Sequence, residues 1–151
     1  KLSGNNKYRD IAIQHANTTL KNQFRADNSC YHVIDYNPNT GEVRKKTTLQ
    51  GYNDDSVWAR GQAWAIYGFT MTYRETKDPK FLDFAHKLAR VYLDKLTTED
   101  LIPYWDFNVG QAGYKPDWNF DPNRFKTTPR DASAAAIAIA PCISVLANSI
   151  C

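Results

Sequence analysis

Arg60 and Trp64 stand four residues apart in a helical run, which places a guanidinium and an indole on one face, one turn from each other. A guanidinium near a helix N-terminus grips a carboxylate with fixed geometry, and an indole offers an apolar plate to a flat ring. By composition alone the structural role is the better reading, with Arg60 paired to Asp54 or Asp55 and Trp64 in the core. His32 alternates with Tyr31 and Val33 on a short strand, and a lone histidine is more often a satisfied polar group than a catalytic one. Nothing resembling a second metal ligand accompanies it, so no metal site is assigned. Gln50 precedes Gly51 in a turn, where a structural turn residue is the default. Trp105, Asp106 and Trp118 lie in an aromatic loop whose rings could stack on a ligand or plug a core. Asp131, directly before Ala132-Ser133-Ala134-Ala135-Ala136, is read as a helix N-cap and left out of the site.

The elements that must position these residues follow from periodicity. Tyr8, Ile11, Ala12, His15, Ala16, Thr19, Leu20 and Phe24 recur at helical spacing, which predicts a half-exposed amphipathic helix over 5–26. Cys30 to Tyr36 and Glu42 to Thr48 read as strands flanking Asn37-Pro38-Asn39-Thr40-Gly41, a hairpin turn in which Pro presets φ and Gly supplies positive φ. Over 57–76, Trp58, Trp64, Ile66, Tyr67, Phe69, Met71 and Tyr73 leave no clean polar face, which predicts a buried helix capped by Asp54, Asp55 or Ser56. Asp78-Pro79 starts the next helix, 79–96, in the preferred way. Residues 99–130 show no sustained period and read as a long loop. An alanine-rich helix follows Asp131, which Pro141 should kink or end.

Bulk properties narrow the partners. The chain has 151 residues, the size of one domain, with a net charge of only +3. Its Lys and Arg residues are scattered among acids instead of forming a stripe, so no nucleic-acid partner is expected. No window approaches the roughly 20 apolar residues of a membrane span, and Lys1 to Asp10 carries no apolar signal core, so no membrane is expected either. Cys30, Cys142 and Cys151 are too few and too widely spaced for a disulfide framework or a zinc site, and read as reduced thiols.

The run Gln50-Gly51-Tyr52, followed by Asp55-Ser56-Val57-Trp58-Ala59-Arg60-Gly61-Gln62-Ala63-Trp64, resembles the unsaturated glucuronyl hydrolases of glycoside hydrolase family 88. The likeness extends back to Tyr31-His32 and forward through Pro103-Tyr104-Trp105-Asp106-Phe107 to Arg130-Asp131-Ala132-Ser133-Ala134-Ala135-Ala136-Ile137. It implies an all-α fold, part of an (α/α)6 toroid of the six-hairpin glycosidase type with a short β-hairpin. Residues 1–151 would be a partial barrel domain from the C-terminal portion, its N-terminal helices absent, since too few helices are predicted here to close a ring.

The implied activity is hydrolysis of unsaturated glucuronyl oligosaccharides left by polysaccharide lyases. An aspartic acid protonates C4 of the non-reducing-end 4,5-unsaturated uronic acid, water adds at C5, and the hemiketal opens to release the sugar. By position, His32, Gln50, Arg60 and Trp64 match substrate-pocket residues of the family, whereas no aspartate here matches its two essential ones, which are expected upstream. No cofactor is implied, and the partner is an unsaturated glycosaminoglycan-derived oligosaccharide. Two other readings stay open: a non-catalytic carbohydrate-binding helical module, and the related unsaturated rhamnogalacturonyl hydrolase. The expected location is the bacterial cytoplasm or periplasm.

Overall fold

A computed structural model describes residues 4–116, 124 and 126–147. The described elements are helix α1 (Asn6–Asn22), strands β1 (Val33–Tyr36) and β2 (Val43–Thr47), and helices α2 (Ala59–Thr76), α3 (Pro79–Asp94) and α4 (Ala132–Ala147). Trp118 and Cys151 lie outside the described residues.

Helix α1 is capped by the Asn5 side chain, which accepts from the Lys7 amide, and only Ala16 is fully buried on it. It ends short of the predicted residue 26 because Phe24 bridges to Cys30 and the chain reverses through Asn28 at φ +63°. The hairpin is antiparallel, with Val33 opposite Thr47 and Ile34 opposite Lys46. In its turn Asn37 folds back on Asn39, its side chain accepting from that amide at 2.9 Å, and Gly41 takes φ +73°. Both strands are shorter than the sequence suggests, since Cys30 to His32 serve as attachment points and do not pair in the ladder.

Helix α2 is the hub, packed against α3 on one side and α4 on the other. Its buried residues are Ala59, Gln62, Ala63, Ile66, Phe69 and Thr70. The expectation of a helix buried all round is corrected here: Trp64 is 50% exposed, and Tyr67 and Gly68 are also open. The open face is aromatic, so hydrophobicity alone did not separate it from the buried one. The expected caps are corrected too. No side chain caps α2; its first amide, Ala59 N–H, donates to the Trp105 carbonyl at 3.1 Å. Asp54 instead accepts from the Thr47 hydroxyl and the Thr48 amide, and Ser56 donates to Asp106.

Lys77 closes α2 in the left-handed region at φ +61°, and Asp78 caps α3 by accepting from Lys80 N–H, with Pro79 in the first turn as expected. Phe24, Phe69 and Phe84 meet edge-on and tilted, with centroids 4.8–5.8 Å apart, and tie the end of α1 to α2 and α3. Polar side chains also enter this core. The buried Gln62 accepts from the Cys30 amide at 2.9 Å and donates to the carbonyls of Leu88 and Asn28, so its amide is fully used. Beside it the Cys30 thiol is pushed up to about 12 by burial and stays protonated.

On α4 the buried Ala134 and Ala138 allow close approach to α2. The helix does not end at Pro141 but runs through it to Ala147, at the cost of one helical hydrogen bond. The long segment between α3 and α4 contains no α-helix or strand among its described residues, only isolated bridges, yet it is firmly attached. Phe107 N–H donates to Val57, Trp105 N–H to Pro129, and Asp131 N–H to Pro103. None of the described helices is long and apolar enough to cross a membrane.

Candidate functional site

Residues from β1, the turn after β2 and the start of α2 gather at the N-terminal end of α2. His32 Nδ1 lies 3.2 Å from the Leu49 amide, 3.3 Å from the Gln50 amide and 3.0 Å from the Thr48 hydroxyl. Amides can only donate, so Nδ1 carries the lone pair and the ring proton sits on Nε2. Burial also holds the imidazole below its usual pKa. His32 is therefore a neutral side chain whose available group is an Nε2–H donor. Gln23 donates from its side chain to the Tyr31 and His32 carbonyls and fixes this stretch of backbone from the end of α1.

The His32 ring packs on Trp58, centroids 4.3 Å apart. Trp58 occupies the N-cap position of α2, and the Arg60 guanidinium lies 5.6 Å from its ring. Gly61 makes room for it, since a Cβ there would come within 3.1 Å of the indole. Sequence reading grouped Trp58 with the buried helix. The signal that could have separated it is its place at the helix start, where a side chain leaves the helical register.

Arg60 is bound to Asp131, not to Asp54 or Asp55. Its Nε donates to Oδ2 at 3.1 Å and its Nη2 to Oδ1 at 3.2 Å. Asp131 also accepts from the Ala134 amide at 2.8 Å, so the expected N-cap is present and has a second role. One turn on from Arg60, Trp64 stands open and meets Tyr67 edge-on at 5.7 Å. The structure thus links His32, Trp58 and Arg60 by ring contacts, with Trp64 on the same helix face as Arg60. Gln50 joins through its backbone, its residue exposed.

Beneath this group lies Asp106, which is 0% exposed. It accepts from the Ser56 hydroxyl at 2.6 Å and from the amides of Tyr52 and Asn108, each at 2.9 Å. Desolvation raises its pKa, opposed by those hydrogen bonds. Gly51 passes close above it, where a Cβ would meet the Thr48 hydroxyl at 2.5 Å and Asp106 at 3.2 Å. From the other side Arg25 donates to the carbonyls of Asp54, Ser56 and Cys30 and stacks over Tyr31 at 3.8 Å. Arg25 and Asp106 therefore shape the turn that carries Gln50, and of the two readings of Trp105-Asp106 the structural one holds for Asp106.

A neutral donor, a cation and two open or half-open indoles can bind a sugar bearing a carboxylate. Asp106 and Asp131 are both buried and engaged, so neither is presented to a ligand as a free acid. No group of three His, Cys, Asp or Glu that could hold a metal ion occurs among the described residues.

The mostly helical chain with its short hairpin corresponds to a segment of an α/α toroid, the fold of the solved structures that it superposes on. The particular relatives agree. The chain is 51% identical over 138 residues to an unsaturated glucuronyl hydrolase of Formosa agariphila, covering 91% of this chain and 31% of that protein. It is 39% identical to an unsaturated chondroitin disaccharide hydrolase of Streptococcus pyogenes, again over 91% and 31%. The crystal structure of the Bacillus sp. GL1 unsaturated glucuronyl hydrolase superposes with a TM-score of 0.79 at 33% identity, over 95% of this chain and 34% of that one. A mutant of the Streptococcus agalactiae hydrolase solved with dGlcA-GalNAc6S gives 0.70 at 36% identity, over 93% and 33%. No family model matches the chain. The chain spans about a third of the length of its curated relatives and is homologous over that part to the unsaturated glucuronyl hydrolases.

Proposed function

We propose that this chain provides substrate-binding residues of a hydrolase that acts on unsaturated glucuronyl oligosaccharides by hydrating the C4=C5 vinyl ether of the non-reducing-end uronic acid. The observation that carries the reading is the cluster at the start of α2, where the Arg60 guanidinium, the neutral His32 and the open Trp64 supply a cation, a donor and a stacking plate. Arg60 is assigned to the uronate carboxylate, His32 Nε2–H and the exposed Gln50 side-chain amide to sugar oxygens, and Trp64 to the ring face. The acid that protonates C4 is assigned to the part of the relatives that this chain does not span, because Asp106 and Asp131 are already committed.

The substrate class is supported by the relatives' names and by the unsaturated disaccharide dGlcA-GalNAc6S in the S. agalactiae structure. The test is to give the full-length gene product an unsaturated chondroitin disaccharide and follow the loss of the conjugated double bond's ultraviolet absorbance. Turnover is expected. Binding of the disaccharide without any loss of absorbance would instead favour a non-catalytic carbohydrate-binding module.

A further inference from the structure

We propose that Asp131 is a positioning residue for Arg60, holding the guanidinium so that its remaining edge faces the substrate carboxylate. The inference rests on the reading of Arg60 as the uronate ligand and goes beyond it, by naming what aims the cation. Asp131 is the buried partner, its side chain 3% exposed, whereas the Arg60 side chain is 38% exposed. The buried carboxylate is itself immobile, with one oxygen on the Ala134 amide at the start of α4 and the Asp131 backbone N–H on the Pro103 carbonyl at 2.8 Å.

The contact is side-on. Asp131 takes the Nε–H and one Nη2–H, which leaves both protons of Nη1 and the second of Nη2. One of these on each nitrogen lies along the end-on edge of the fork, and an end-on edge of two nitrogens binds a second carboxylate at two points. The Cζ of the same guanidinium lies over the Trp58 ring, 5.6 Å from its centroid. The guanidinium is thus held at its Nε/Nη2 edge, and its end-on edge keeps two donors that Asp131 does not use. Such pre-organisation removes the rotamer entropy that a free arginine would lose on binding. Because Asp131 opens α4 and Arg60 opens α2, the packing of these two helices sets the aim of the cation.

The variant Asp131→Asn separates this role from helix capping, since Asn is as good an N-cap as Asp but offers a single acceptor oxygen and no charge to the guanidinium. Asp131→Ser likewise keeps a capping oxygen and is too short to span the fork. In the full-length gene product, with an unsaturated chondroitin disaccharide, Asp131→Asn should raise KM by about tenfold with kcat little changed per folded molecule. In an Arg60→Met background the same substitution should leave KM unmoved, because there is no fork left to aim. The proposal is overturned if Asp131→Asn and Asp131→Ser keep the wild-type KM, or if Asp131→Asn raises KM as much in the Arg60→Met background as in the wild type. If Arg60→Met alone keeps the wild-type KM, the assignment of Arg60 itself fails, a result visible before any Asp131 variant is made.

Discussion

Along α2, Ala59, Ala63, Ile66 and Phe69 are sealed in the core shared with α3 and α4, while around the same axis Arg60, Trp64 and Tyr67 stand partly or largely open. Both faces are rich in apolar surface. What distinguishes them is chemistry: alanine, isoleucine and a hydrocarbon ring where helices approach, an indole, a phenol and a cation on the more open side. Apolar content therefore says that a face will be covered by something, and the residue types say whether that is protein or ligand. Substitutions on the first face should cost stability, and those on the second should cost recognition.

Ile66→Ala tests the buried face most severely. Ile66 is 0% exposed, and its truncation should destabilise the fold by about 2–5 kcal/mol through lost burial and the cavity left behind. Urea midpoints should fall accordingly, with KM for the unsaturated disaccharide unchanged in the molecules that remain folded. A raised KM at full stability would erase the distinction between the faces.

Asp106→Asn probes the support beneath the site. Asn presents one acceptor oxygen where Asp106 presents two, so either the Tyr52 or the Asn108 amide loses its partner, at about 1–3 kcal/mol. The pH dependence has a definite sign. Burial raises the pKa of Asp106 above 3.8, so between that value and its folded pKa the native state holds a proton that the unfolded state has lost. Wild-type stability contributed by this group is full below 3.8 and declines as pH rises through the folded pKa. The deficit of the Asn variant should therefore be largest in acid and shrink towards neutrality, which denaturant midpoints across that range would show. A deficit that grows with pH would mean that the carboxylate is stabilised as an anion.

Trp64→Ala is the mildest on stability, since the ring is half exposed. It should leave the melting temperature nearly unchanged and raise KM several-fold with kcat retained, because stacking acts on ground and transition states alike. A large drop in melting temperature would return Trp64 to the core, the role that composition alone assigns it.

The features legible in the sequence are those fixed by neighbours. Asn37 and Gly41 shape the hairpin turn, Asp78-Pro79 starts α3, and Asp131 caps α4, each through contacts within a few residues. What caps α2 was not legible, because its first amide is satisfied by Trp105, far away in the chain. The same holds for the partner of Arg60. Asp54 and Asp55 are near in sequence, but Asp54 is held by Thr47, Thr48 and Lys45, and the carboxylate that reaches Arg60 is 71 residues on. The site residues themselves came from a resemblance in motif, and the geometry adds what a motif cannot carry: the tautomer of His32, the contact of Trp58, and the grip on Arg60.

Arg60→Lys in the full-length gene product, with melting temperature and steady-state rates measured on the same preparation, tests the uronate assignment most directly. Charge is kept and the planar fork is lost, so catalytic efficiency on an unsaturated chondroitin disaccharide should fall about tenfold to a hundredfold, the worth of one charge-assisted hydrogen bond of roughly 1.5–3 kcal/mol, while the protein stays folded. Unchanged efficiency in a fully folded Arg60→Lys protein would contradict the account and leave Arg60 as a brace for Asp131 alone.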